Sequence, residues 1–350
     1  MITQFSKGFY GKPRDHAAFV KAVHEGDCSE IAATAAHSGS KRKFTDAFVM
    51  ATPDAMQPDF RVQRIKPAET PQPDSIEFLD ELEQVYSLCN QLDQNLDDLD
   101  GRFPRGITEV SPVLLEPEFY IRPYEKGVDY GVSEKDWQAI QSGADLKFDQ
   151  GEGKRKRQIK TVRDAATFVH NDDPLAPWEH LLQIILMEQV EKVLPKEFDN
   201  EYYDVHDWFV LFGTPFYKGV LGEALRMLGH PSFYWKWMSM YPRPEEVGHH
   251  YGKEHLPLAF AEGSPMHPSR GAMHSMAAKV LGWILKLMFK AETMLKFTGE
   301  SITSTVNHLQ DNIGMFRLCG GVHYMSDHTC VDPIAEAVAR SVVAKYIGRR

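Results

Sequence analysis

Three stretches of this sequence gather cations and histidines where helices begin or end. The first is Tyr234-Trp-Lys-Trp-Met-Ser-Met-Tyr-Pro-Arg-Pro-Glu245, with Lys236 seven residues before Arg243. Seven residues make two helical turns, so the spacing predicts that both cations point the same way. Lysine supplies a compact charge and arginine a planar fork of donors, a pairing suited to a tetrahedral oxyanion. Taken alone, the segment also reads as two surface cations on an aromatic-rich helix.

The second stretch, Glu262-Gly-Ser-Pro-Met-His-Pro-Ser-Arg-Gly-Ala-Met-His-Ser275, is a turn-rich approach to a long helix. A helix start offers unpaired N–H groups and the positive dipole end, and His267 and His274 stand beside it. In the third, Asn312 to Asp327, Arg317 lies six residues before His323, and Gly320 and Gly321 permit a tight turn between them. Asp327 follows His323 at i+4, where a carboxylate accepts the imidazole N–H, fixes the tautomer and raises the basicity of the other nitrogen. A histidine held in this way is prepared as a ligand or a nucleophile.

The elements that must position these groups are helical. Segments 178–193, 206–228, 232–240, 271–297, 301–319 and 333–347 carry helical periodicity, and strand-like alternation is nearly absent. An earlier helix is expected over 75–98, with Ile76, Leu79, Leu82, Val85, Leu88 and Leu92 on one stripe. Prolines through 53–73 and 104–123 break up the rest of residues 1–160. The expected architecture is all-α and one domain over 1–350: an irregular N-terminal part (1–160) wraps a helical core (161–350) that carries the oxyanion pocket.

Composition narrows the partners. At 350 residues, 43% hydrophobic and 25% charged, the chain is neither disordered nor a disulfide scaffold. A formal charge of −10 disfavours general nucleic-acid binding, so any anion site must be local. The basic run at 151–160 reads as a solvated loop. Cys28, Cys89, Cys319 and Cys330 show no paired metal spacing, and the first residues show no signal-peptide pattern, so a reducing cytoplasm is expected. The apolar run 280–289, interrupted by Lys286, is too short to span a membrane. Asp97, Asp98 and Asp100 are the acids from which a Mg²⁺ site could be built, although the same three also read as a solvated helix end.

In order, Lys-x6-Arg-Pro, a histidine after a Ser/Pro/Gly turn, and Arg-x5-His-x3-Asp resemble the vanadium-dependent haloperoxidases, whose pocket is shared with the type-2 phosphatidic acid phosphatases. Phe5-Ser-Lys-Gly8, Arg122-Pro-Tyr124, 137–143 and Glu262-Gly-Ser-Pro-x-His-Pro-Ser269 are similar to the algal and bacterial bromoperoxidase branch. The resemblance implies a haloperoxidase-like helical bundle and a homo-oligomer. It implies that Lys236, Arg243 and Arg317 neutralise the equatorial oxygens of vanadate or phosphate, that His323 takes the apical position, that Asp327 orients it, and that His274 is the acid–base histidine. The family's Pro-Ser-Gly-His turn is replaced here by Gly271-Ala272-Met273-His274. Losing the hydroxyl at Ala272 should cost about 1.5–3 kcal/mol of oxyanion binding. Met273 adds bulk and is exposed to oxidants where glycine is expected.

From these readings the leading expectation is an enzyme that holds a phosphate- or diphosphate-bearing small molecule, acting as a terpene-cyclase-like lyase on a prenyl diphosphate. Trp235, Trp237, Tyr241, Trp283 and Phe316 would then face a carbocation, or else serve as core. The alternatives are a vanadate-loaded bromo- or iodoperoxidase with an unusual turn, and a phosphatase acting through phosphohistidine. No cofactor is fixed by sequence. Vanadate belongs to the peroxidase alternative and Mg²⁺ to the acidic cluster. A catalytically silent protein is disfavoured, because an unused cluster of buried cations destabilises a fold.

Overall fold

The apolar stripes of the second half decide which helices meet. A computed structural model describes residue 69 and residues 75–141, 155–171, 173–193, 213–239, 241–250, 254–265 and 267–347. The opening Phe5–Gly8 motif, Cys28, and residues 151–154 and 206–212 lie outside the described residues. The helices are α1 (Ile76–Cys89), α2 (Arg105–Thr108), α3 (Glu134–Gln141), α4 (Val162–Asn171), α5 (Ala176–Met187), α6 (Thr214–Ser239), α7 (Pro244–His250), α8 (Met273–Met288), α9 (Ile302–Cys319), α10 (Met325–Thr329) and α11 (Asp332–Ile347). Among the described residues the β structure is limited to isolated bridges, and no helix is long and apolar enough to cross a membrane.

α8 is the central element. Its buried residues run from Ser275 to Met288 around most of its circumference, and it packs against α6, α9 and α11. A helix that is apolar nearly all round must be enclosed. The main apolar core draws on residues from Leu88 to Ile347. A smaller one joins Phe78, Leu82, Tyr241, Val247, Leu256 and Tyr324. The proline-rich region contributes as well: Pro112 and Pro117 each open a short 3₁₀ turn, and Val113, Leu114 and Phe119 are buried.

Several predicted boundaries move. The first helix stops at Cys89, not near residue 98, although Leu92 and Leu96 remain buried beyond it. The segments read as 206–228 and 232–240 form one helix, α6, which continues through Pro231. There the Ser232 hydroxyl donates back to the carbonyls of Leu228 and Gly229 at 3.0 and 2.9 Å. α8 ends at Met288 instead of residue 297, because Phe289 turns extended and bridges Lys192. Cys89, Cys319 and Cys330 are buried and unbridged. In the basic run, Arg157 pairs with Asp164 at 2.8 Å and its backbone bridges Ile121, a structural role.

Candidate functional site

Lys236 sits in the last turn of α6. Arg243 is not on that helix. α6 ends at Ser239, and the carbonyl of Arg243 accepts the first amides of α7, from Glu246 and Val247, both at 3.1 Å. The expectation of two cations aligned over two turns of one helix is therefore corrected. Pro242 and Pro244 flank Arg243 and break the helix, and the break folds Arg243 back. Both side chains reach the same carbonyl-rich strip. Lys236 Nζ donates to the carbonyls of Pro268 (3.0 Å) and Ser269 (3.2 Å). Arg243 Nε and Nη2 donate to the carbonyl of His267 at 3.1 and 2.9 Å, and its Nη1 to the carbonyl of Val322 at 2.6 Å.

Arg317, in the last turn of α9, donates to the carbonyl of Val169 near the end of α4 at 3.0 Å. Six residues on, His323 Nδ1 lies 2.9 Å from Asp327 Oδ2. That oxygen also accepts the Tyr324 amide (3.2 Å) and the Ser269 hydroxyl. Asp327 Oδ1 is buried with no hydrogen-bond partner among the described residues. His323 Nε2 is 3.0 Å from Arg243 Nη1, and a guanidinium can only donate. The ring is therefore neutral, with its proton on Nδ1 toward Asp327 and a lone pair on Nε2 facing the cations.

The electrostatics agree. Lys236, Arg243 and Arg317 are 0%, 2% and 6% exposed, and Asp327, bonded to His323 beside them, is itself 0% exposed. Burial, then the charges of Arg243, Lys236 and Arg317, holds His323 well below the usual imidazole range. Burial followed by repulsion from Arg243 drives Lys236 well below its ordinary value. Burial pushes the Asp327 carboxyl up, and the Ser269 hydroxyl leads the groups that pull it back. The cup thus holds more positive than negative charge in a water-poor setting, and a bound anion would relieve that repulsion.

Two groups are more central than the sequence suggested. His267 accepts from Arg243 Nη2 at 3.0 Å, and burial, then Lys236 and Arg243, keeps it far below its ordinary value. Ser269 lies 3.3 Å from His323 Nδ1 while bonding Asp327. The signal for both was their place in the Ser-Pro-Met-His-Pro-Ser turn, but only packing reveals whom they meet. His274 is the second residue of α8 and half-buried; one residue before the helix, the Ala272 amide donates to the carbonyl of Asp327 at 3.0 Å. Ala272 is the N-cap of α8 and gives it no side-chain cap. Gly271 has φ +76°, a conformation closed to proline.

The acidic cluster does not assemble. Asp98 accepts from Asn95 at 2.9 Å, Asp100 is held by Arg102 at 2.6 Å, and no group of three metal-ligating residues occurs among the described residues. Asp97, Asp98 and Asp100 stand on a solvent-exposed turn. The described aromatic residues take packing positions, the other reading given for them above. Phe316 is enclosed in the main core, Tyr241 packs edge-on against Phe78 and Tyr324, and Trp283 lies beneath Lys286 (4.2 Å) and near Arg340 (5.6 Å). Trp235 packs against the main core, and the Trp237 side chain lies outside the described residues.

No protein-family model matches the chain. It is 27% identical over 299 residues to a vanadium-dependent bromoperoxidase of Corallina pilulifera, covering 66% of this chain and 49% of that protein. It is 25% identical over 315 residues to that of Corallina officinalis, covering 71% and 51%. The chain thus spans about half the length of these curated relatives. Its fold matches the homohexameric second vanadate-dependent bromoperoxidase of Ascophyllum nodosum with a TM-score of 0.72 at 15% identity, over 96% of this chain and 77% of that one. The chain is thus similar in sequence to vanadium-dependent bromoperoxidases, and it shares the fold of a vanadate-dependent bromoperoxidase.

Proposed function

We propose that the chain is an enzyme whose cationic cup holds the phosphate or diphosphate end of a small-molecule ester. The observation that carries this reading is three buried cations whose charges bear on a neutral, lone-pair-bearing His323 that Asp327 holds. As a C–O bond to the substrate breaks, Lys236, Arg243 and Arg317 would take up the charge of the leaving oxyanion. His323, set by Asp327, would accept a proton or hydrogen bond at Nε2, and His274 would serve as the second acid–base group. A prenyl diphosphate is the substrate to test first, because its departing diphosphate is the charge this cup is suited to hold. A homo-oligomer is proposed as well, on the strength of the hexameric structural neighbour.

The residues also fit vanadate, which the family implies. Lys236, Arg243 and Arg317 would neutralise its oxygens, and His323 Nε2 would face it. When bound, vanadate would supply Lewis-acid activation of peroxide for halide oxidation. The identities to two bromoperoxidases favour this second reading. Against it stand the missing hydroxyl at Ala272 and a backbone at Gly271 that proline cannot follow. Two assays on the same preparation separate the readings. Prenyl diphosphate consumption without vanadium or peroxide supports the lyase. Peroxide- and halide-dependent halogenation after vanadate loading refutes it in favour of the peroxidase, while acid-labile labelling of His323 by a phosphate ester points to phosphatase chemistry.

A further inference from the structure

The cup cations are held by backbone carbonyls on three segments, one of them Val322, which accepts from Arg243 at 2.6 Å just after α9. Val169, at the end of α4, holds Arg317, and the turn at 267–269 holds Lys236 and Arg243. The Val322 carbonyl ties Arg243 to the end of α9, and the way α4 meets the turn at 267–269 sets the remaining freedom of Arg317 relative to Lys236 and Arg243. The next residue after Val169 is His170, and Glu262 opens the segment leading to His267. His170 Nε2 bonds Glu262 Oε1, and His170 Nδ1 bonds the Tyr124 hydroxyl. Both ring nitrogens are used, which fixes the order Tyr124 O–H to Nδ1 and Nε2–H to carboxylate. The ring stacks on Phe260, centroids 4.2 Å apart and 15° from parallel. A Cβ at Gly320 would come within 2.9 Å of Phe260, so this stack also backs the turn that delivers His323.

We propose that Tyr124, His170 and Glu262 form a clamp that positions the anion cup, setting Arg317 against Lys236, Arg243 and His323. His170 acts through the carbonyls that hold the cations and is a positioning residue; the inference rests on the oxyanion reading above. The test measures inorganic phosphate and vanadate binding by calorimetry for the wild type, His170→Ala, Glu262→Ala and Glu262→Gln, with melting temperatures alongside. The two alanine variants should bind roughly tenfold more weakly, and Glu262→Gln, which keeps an acceptor for Nε2–H, should recover most of that loss. Alanine variants that bind like the wild type, or a glutamine variant as weak as alanine, overturn the clamp. A second arm needs no ligand: a thermal double-mutant cycle between His170→Ala and Arg317→Met. Non-additivity is expected, and strict additivity refutes the clamp even if the wild type binds neither anion. That last outcome would separately refute the proposed function.

Discussion

Removing the Asp327 carboxylate tests the site most directly. The Asp327→Ala change leaves the His323 Nδ1–H and the Tyr324 amide, at 2.9 and 3.2 Å, without their buried acceptor. The Ser269 hydroxyl, also bonded to that oxygen, can turn toward another acceptor. Each stranded donor costs about 1–3 kcal/mol, and breaking a buried charge cluster costs about 3–5, so the overlapping total is about 4 kcal/mol. With an unfolding entropy of about 2.1 cal/mol/K per residue over 350 residues, that is a fall in Tm of about 5 °C. Asp327→Asn separates fold from function. With its carbonyl oxygen at the Oδ2 position it keeps all three donors, His323 Nδ1–H among them, and only the charge is lost. We expect the asparagine variant to lose about half as much stability as alanine, to keep the Nδ1–H tautomer, and to bind vanadate about 10- to 100-fold more weakly, because the neutral amide leaves Nε2 less basic. Calorimetric melting with and without vanadate, together with ¹⁵N spectra of the His323 ring, reads both effects. An asparagine variant whose ring proton moves to Nε2 would refute the assigned geometry, as would an alanine variant melting within one degree of the wild type.

Other expectations follow from particular contacts. Burial beside Glu245 pushes the Glu246 carboxyl up from 4.5 to about 8. Between those values the unfolded chain ionises and the folded chain does not, so the wild type loses up to about 1.4 kcal/mol per pH unit as pH rises. Glu246→Gln should match the wild type near pH 4.5 and exceed its stability near pH 8 in denaturant titrations; parallel profiles would overturn this. Ala272→Ser adds an N-cap worth about 1 kcal/mol to α8 and a hydroxyl donor. It should strengthen vanadate binding about tenfold, and unchanged affinity would show that the hydroxyl does not reach the anion. Gly314→Ala places a Cβ 2.1 Å from His328 Nδ1 and 2.8 Å from Ser275 Oγ. It should cost about 3 kcal/mol in thermal denaturation, partly recovered by His328→Ala, and a neutral result would refute the close packing of α9 on this histidine.

Local spacing carried much of the site. His323 and Asp327 are four residues apart and meet as expected, because neighbours on the chain have few ways to be placed. The helical class and most of the second-half helices were equally legible, since apolar periodicity is a property of each segment alone. The Lys236–Arg243 spacing misled because two prolines replaced the continuous helix with a break, and the cations converge on carbonyls some 24 to 33 residues away. His267 and Ser269 acquired partners only when the turn at 267–269 was laid against Arg243 and Asp327. The aspartates at 97–100 were close in sequence and never converged, because nothing packs over an exposed turn to offset the repulsion of gathered carboxylates. Residue types and periodicity determined which chemistry was available and that helices would carry it. The tertiary structure decided which charges share a buried space, because that depends on packing between distant segments, whose contacts no local spacing encodes.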